Sequence, residues 1–225
     1  MLDYEIISSS SNGNCLIFNK YLAIDMGISF KKISPYLKNL KVILLTHEHT
    51  DHFDKTCIKM IAYNKPTLKW LCGDWLVKSL IDLDVSKKNI YVVESGKTYD
   101  LGLFRVMPIE TYHDVRNMSY KIDFKPITIY YATDTKKLDY LDCLKGLDYY
   151  FVENNYRDDI INFHIQEAKE NNDINKLFYL ERTLKNHLSK SDCDSFLIEN
   201  MTNNSSYVYL HISKYNNTKN GDFDT

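Results

Sequence analysis

The sequence lacks the marks of a membrane protein, of a disulfide-stapled protein and of a strongly basic one. No apolar run approaches the ~20 residues needed to span a bilayer. The first residues, Met1-Leu-Asp-Tyr-Glu5, carry no basic segment followed by an apolar one, so no signal peptide is expected. Cysteine is scarce and scattered: Cys15, Cys57, Cys72, Cys143 and Cys193 are odd in number and never spaced C-x-x-C. They read as free thiols in a reducing cytoplasm rather than as a disulfide frame. Charge of neither sign dominates, with 28 Lys and Arg against 30 Asp and Glu. The whole molecule therefore exerts no global pull on nucleic acid, although a local basic patch is what holds phosphates.

What is present suits a soluble enzyme-sized domain. Hydrophobic residues make up 44% of the 225 positions and charged residues 26%, enough for a sizeable core. We expect one domain over residues 1–212 and a frayed polar tail over 213–225, where apolar periodicity stops. Short strands are expected at Asp3–Ser8, Cys15–Phe18 and Tyr21–Asp25, joined by tight turns into an antiparallel meander. Phe30, Ile33, Leu37 and Leu40 predict a helix over 30–40. A second helix from about Lys55 to Tyr63 stops before Pro66, and Asp74 can cap a third running to Leu83. Strands at Val42–Leu45, Leu68–Cys72 and Ile90–Val93 alternate with these helices. The second half is expected to turn antiparallel again, with strands at Phe104–Tyr112, Met118–Phe124, Ile127–Thr133 and Leu147–Val152. A mostly helical stretch over 158–200 then precedes a last strand at Tyr207–Ile212.

One stretch resists any structural explanation. The apolar strand Val42-Ile-Leu-Leu45 runs directly into Thr46-His47-Glu-His49-Thr-Asp51-His52. Buried histidines usually come singly, and surface loops gain little from stacked imidazoles. Histidine and carboxylate are, however, the ligands of zinc and similar divalent ions. In an extended segment His47 and His49 point the same way and can grip one ion, while Asp51 and His52 can face a second. His113, Asp134 and His211 each follow an apolar strand as well. Alone, a histidine at a strand end is more often a structural hydrogen-bonder, and Asp25 alone reads as a turn former. Together with the histidine loop they become candidate ligands, because strand ends at one edge of a sheet converge.

The H-x-H-x-D-H string after a hydrophobic strand resembles the signature of the metallo-β-lactamase superfamily. The resemblance implies an α/β fold, an αββα sandwich of two mixed β-sheets flanked by helices. It also implies a ligand order. His47, His49 and His113 would bind one metal, Asp51, His52 and His211 the other, with Asp134 bridging the two. Asp25 would hold the loop and orient a ligand histidine rather than bind metal. Two divalent ions, zinc or manganese, about 3.5–4 Å apart suit hydrolysis by a bridging hydroxide, with Asp51 or Asp134 able to take the proton.

A second resemblance covers most of the chain. Ser9-Ser-Ser-Asn-Gly-Asn-Cys15 is similar to the S-S-S-x-G-N-C opening of a bacterial and phage branch, the YycJ/WalJ-type proteins. Leu180–Ser189 resembles its R-(I/T)-L-x-x-x-H-L-S segment, and Tyr209–Asn217 its closing L-x-H-L-S-x-x-N-N. Val152-Glu153-Asn-Asn155 resembles its V-E-x-N, but Tyr156-Arg157 departs from the usual continuation. This branch implies a metal-dependent nuclease, a DNA exonuclease above all.

Ser189 with Asp192 resembles a capping box opening a helix through Asn200, and a helix N-terminus suits a phosphate. His187 beside it could contact that phosphate or protonate a leaving oxygen. Equally, Ser189 could only cap the helix and His187 only pack. The expected activity is phosphodiester hydrolysis on nucleic acid, by a soluble cytoplasmic protein compatible with a homodimer. A cyclic-nucleotide phosphodiesterase of phage type shares the same metal core, as does a β-lactam or thioester hydrolase. A metal-stabilised binding module fits less well, because a structural zinc site closes with four ligands and this chain offers seven.

Overall fold

The computed structural model describes residues 1–219. The chain divides into two compact units, one comprising residues 1–99 with 107–109, the other 100–106 with the chain from residue 110.

In the first unit, β1 (Tyr4–Ser10), β2 (Gly13–Phe18) and β3 (Leu22–Ile24) form the expected antiparallel meander. The chain then passes through α1 (Phe30–Ile33), β4 (Val42–Leu44), α2 (Lys55–Asn64), β5 (Lys69–Cys72), α3 (Asp74–Asp82) and β6 (Ile90–Val92). From β3 to β6 every pairing is parallel, giving a six-stranded sheet in sequence order. All three residues of β4 are buried, the continuous apolar run that a central parallel strand requires. The strand therefore fixes where the histidine loop begins. Asp54 caps α2 by accepting from the Cys57 backbone N–H at 2.6 Å, which aims Cys57, Ile58, Ile61 and Ala62 into the core. The expected helix over 30–40 is broken. α1 lasts four residues and a 3-10 turn at Ser34–Tyr36 follows, because the Pro35 ring supplies no N–H and obstructs α-helical continuation. Asp74 is the first residue of α3 rather than its cap, a position taken by Gly73.

The second sheet runs β12-β11-β10-β9-β8-β7. Its strands are β7 (Tyr99–Asp100), β8 (Arg105–Thr111), β9 (Asn117–Asp123), β10 (Thr128–Ala132), β11 (Tyr149–Glu153) and β12 (Ser206–Leu210). β9 and β10 form the expected hairpin, with Ile122 opposite Ile129. The strands that follow are parallel, not antiparallel as expected. Between β11 and β12 lie α4 (Asp158–Glu170), α5 (Ile174–Asn186) and α6 (Lys190–Asn200). A helical crossover of that length returns the chain to the same end of the sheet and so enforces parallel pairing.

The C-terminal segment also departs from expectation. Residues 213–218 are folded onto the second unit, with Tyr215 and Asn216 buried. Tyr215 stacks on His164 of α4 with ring centroids 4.1 Å apart, and the Asn217 amide donates to the Asn155 carbonyl at 2.7 Å. Polar residues can dock a segment when their hydrogen bonds are met internally, which composition alone does not reveal. The remainder of the expected tail, 220–225, lies outside the described residues. No helix among the described residues is long and apolar enough to cross a membrane.

Candidate metal centre

The histidine loop of the first unit is held by buried side chains from the meander. Asp25 is fully buried and accepts from the Thr46 backbone N–H at 2.8 Å, from the Thr46 hydroxyl, and from His52 Nδ1 at 2.7 Å. Asn14 reaches the same loop: its backbone N–H donates to the Asp51 carbonyl at 2.7 Å. Its side-chain amide lies 2.8 Å from His52 Nε2 and 3.3 Å from Asp51 Oδ2. The rings of His47 and His49 are 4.8 Å apart, and those of His47 and His52 4.2 Å. Gly27 makes this crowding possible. A Cβ there would sit 1.6 Å from the Asp51 carbonyl oxygen, so the loop backbone passes where any other residue would collide.

The second unit builds its own cluster from the ends of three strands and one interhelical loop. Asp134, Glu153, His187 and His211 each place a ligand atom within 4.8 Å of the others. Glu153, the last residue of β11, is fully buried. Its Oε1 lies 2.6 Å from His187 Nδ1 and 3.2 Å from His211 Nδ1, while Oε2 accepts from the Thr135 backbone N–H at 2.9 Å. The His187 and His211 rings stack at 5.2 Å, and His113 lies 5.6 Å from His187. Burial by itself would raise the Glu153 carboxyl, but the His187 charge and the hydrogen bonds from both histidines hold it below its ordinary value. Burial likewise opposes charge on His187, yet Glu153 and Asp134 outweigh it and raise the imidazole well above its ordinary value. The two carboxylates thus favour the charged form of His187.

Three of these residues occupy left-handed backbone: Asp25 (φ 60°), Asp134 (φ 49°) and His211 (φ 50°). For non-glycine residues this conformation costs on the order of 1–3 kcal/mol and persists only where the surroundings over-determine it. Here buried groups do so. The Asp25 N–H donates to the Leu44 carbonyl at 2.9 Å, Asn117 donates to the Asp134 carbonyl at 2.7 Å, and Asn155 donates to the His211 carbonyl at 3.1 Å. The left-handed kink turns each side chain out of the strand's alternation.

The donor set fits divalent cations. Nδ1 of four of these histidines is engaged with an oxygen: His47 with the Thr46 hydroxyl at 2.9 Å, His52 with Asp25, His113 with the Asn186 carbonyl at 3.1 Å, and His211 with Glu153. This is the arrangement that fixes an imidazole's tautomer and directs Nε2 to a metal. Ser189 differs. Its hydroxyl is buried and caps α6, accepting from the Asp192 backbone N–H at 3.0 Å. Glu153, Asn14, Asn117 and Asn155 are the positions that motif reading left without a role. The V-E-x-N and S-S-S-x-G-N-C segments signalled Glu153, Asn155 and Asn14, and nothing signalled Asn117.

The match to a family model settles what the fold and these clusters indicate. A model described as a β-lactamase superfamily domain matches residues 24–172, and the chain belongs to that superfamily. Its two mixed sheets with flanking helices are those of the metallo-β-lactamase fold, and the protein is a hydrolase of that class. Among individual relatives, it is 28% identical to Exodeoxyribonuclease WalJ of Streptococcus pneumoniae serotype 2, over 96% of this chain and 83% of that protein. The fold is shared with the metallo-β-lactamase fold protein YhfI of Bacillus subtilis, with TM-score 0.71 and 16% identity over 94% of this chain and 86% of that one. It is also shared with the short form of human tRNase Z, with TM-score 0.64 and 12% identity over 94% and 93%. The resemblances read from the H-x-H-x-D-H string and the serine-rich opening are thereby met.

Proposed function

We propose that this protein is a dinuclear metal-dependent phosphodiesterase acting on nucleic acid, in the first instance a DNA exonuclease. The observation that carries the reading is the Glu153–His187 pair beside Asp134 and His211. A phosphodiester releases an alkoxide-like oxygen, which leaves readily only when a proton reaches it. His187 Nδ1 donates to Glu153, which leaves the ring's Nε2 as the atom through which a proton can reach a leaving oxygen. Similarity to an exodeoxyribonuclease over most of both chains supports the same substrate class.

In this reading His47, His49 and His113 would hold one divalent cation and Asp51, His52 and His211 the other, with Asp134 a ligand shared between them. Asp25 aims His52. Zinc and manganese both suit histidine–carboxylate ligands. Such cations, when bound, generate a nucleophile from water at neutral pH and neutralise charge on phosphoryl oxygens. Asp51 or Asp134 takes up the proton, His187 donates one, and Ser189 serves as the cap of α6. Residues 1–212 act as one functional domain. The free thiols Cys15, Cys57, Cys72, Cys143 and Cys193 support a cytoplasmic setting.

The test is incubation of manganese-loaded protein with 5′-labelled single-stranded DNA and, separately, with cyclic AMP and cyclic UMP. A ladder or mononucleotide product from DNA is expected, and His49→Ala should abolish it. Turnover of a cyclic nucleotide with the DNA left intact would overturn the nuclease reading.

A further inference from the structure

Away from the ligand cluster, the second unit carries a groove of about 570 Å³ between α6 and β12. We infer that it is a base-stacking subsite, holding a nucleobase of a single-stranded nucleic acid whose backbone continues to His187. The inference rests on the phosphodiesterase reading above and assigns that activity a place to hold its substrate.

The groove is aromatic where a base would need it. Tyr207 and Tyr209 lie two apart on β12 and so share one face of the strand, with rings 5.0 Å apart. Tyr207 is 50% exposed at the edge of the sheet, and Ile198 of α6, on the facing lip, is 82% exposed. Single-strand binders commonly combine such exposed aromatic faces with a nearby cation. Lys190 supplies the cation, with Nζ 5.3 Å from the Tyr209 ring centroid.

The charge balance selects a base rather than a second phosphate at this point. Asp194 is a carboxylate in the groove, but Lys190 forms an ion pair with it and the Tyr209 hydroxyl donates to it. The net charge along the groove is close to zero, which suits a neutral ring with polar edges.

Continuity with the cluster fixes the direction. β12 runs from Tyr207 through Tyr209 directly into His211, and Lys190, the first residue of α6, follows His187 by three positions. Both walls therefore start at the proposed reaction centre. At about 3.3 Å per residue, Tyr207 lies about 13 Å back along the strand from His211, a span that a few nucleotides of extended single strand cover.

The experiment measures fluorescence anisotropy of a 5′-labelled thymidine octanucleotide with the full-length, chelator-treated protein. Tyr207→Ala should weaken binding about ten-fold, within the range for losing one base–aromatic stack, whereas Tyr207→Phe should stay within about two-fold of the parent. Ile198→Asp, at a position exposed enough to leave folding intact, should weaken it by a similar factor. If the parent binds and cleaves DNA while Y207A and I198D bind as the parent does, the subsite is overturned and the nuclease reading stands. If the parent neither binds nor cleaves DNA, both fall. A parent dimer that I198D dissociates in sedimentation, with octanucleotide affinity unchanged, would give the groove to a second copy of this chain and overturn the subsite.

Discussion

Glu153 and His187 stand 34 residues apart in the chain, yet the carboxylate Oε1 and the imidazole Nδ1 meet at 2.6 Å. β11 delivers the first and the loop between α5 and α6 delivers the second. If His187 is the proton donor, His187→Ala should lower kcat on DNA by about 10²- to 10⁴-fold while bound metal, measured by elemental analysis, stays at the parent level. Glu153→Gln should lower kcat less and pull the alkaline limb of the pH profile towards neutrality. Loss of metal in His187→Ala would instead make the residue a ligand.

The same pair links stability to pH in metal-free protein. Against burial, the histidines hold Glu153 below its ordinary 4.5, so its contribution is present above about that pH and is lost as pH falls through the lowered value. His187 is raised above its ordinary 6.5, so its contribution is complete below 6.5 and is lost as pH rises through the raised value. The stability difference between the parent and Glu153→Gln should therefore be largest between these two ordinary values and shrink on both sides. Thermal melts across pH in chelator measure it. A difference that is flat with pH would refute the coupling.

Asp25 touches His52 and Thr46 and never the exterior. Removing its carboxylate in Asp25→Ala leaves His52 Nδ1–H without its acceptor and the ring without a fixed tautomer. Metal affinity, measured by chelator competition, should fall about 10- to 100-fold.

Gly27 should tolerate no side chain. Since its Cβ would lie 1.6 Å from the Asp51 carbonyl oxygen, Gly27→Ala must displace the metal loop. A destabilisation of roughly 1–3 kcal/mol is expected from such overpacking, read as a lower denaturation midpoint, together with weakened metal binding. A variant that melts and binds metal like the parent would show that the loop has slack.

Asn117 is buried, and its amide donates to the carbonyls of Thr133 at 3.1 Å and Asp134 at 2.7 Å. Asn117→Leu keeps the volume but removes both donors. Stability should drop by about 1–3 kcal/mol, the usual loss when buried acceptors go unsatisfied. Activity should fall further than stability does, because the left-handed turn at Asp134 loses its tether. Equal and small losses in both would assign Asn117 to packing alone.

Much of this protein is written locally in its chain. The Val42–Leu45 run names a buried strand because apolar continuity is a local property, and His47, His49, Asp51 and His52 name a ligand loop because no core or surface would assemble them by itself. Ser189 announces its helix start for the same reason, since a cap acts within three residues. Other features depend on partners far along the chain. Pro35 interrupts a periodicity that looked helical, and the α4–α6 crossover, not either strand's own composition, makes β11 and β12 parallel. The left-handed backbone of Asp25, Asp134 and His211 is set by hydrogen bonds with distant buried groups. The sequence by itself determined which superfamily the chain belongs to and which residues are its candidate ligands. Only the tertiary structure decided that Glu153 holds His187, that Asn14, Asn117 and Asn155 hold their neighbours, and that Tyr215 is packed inside. A hydrogen bond between residues tens of positions apart leaves no periodicity to read.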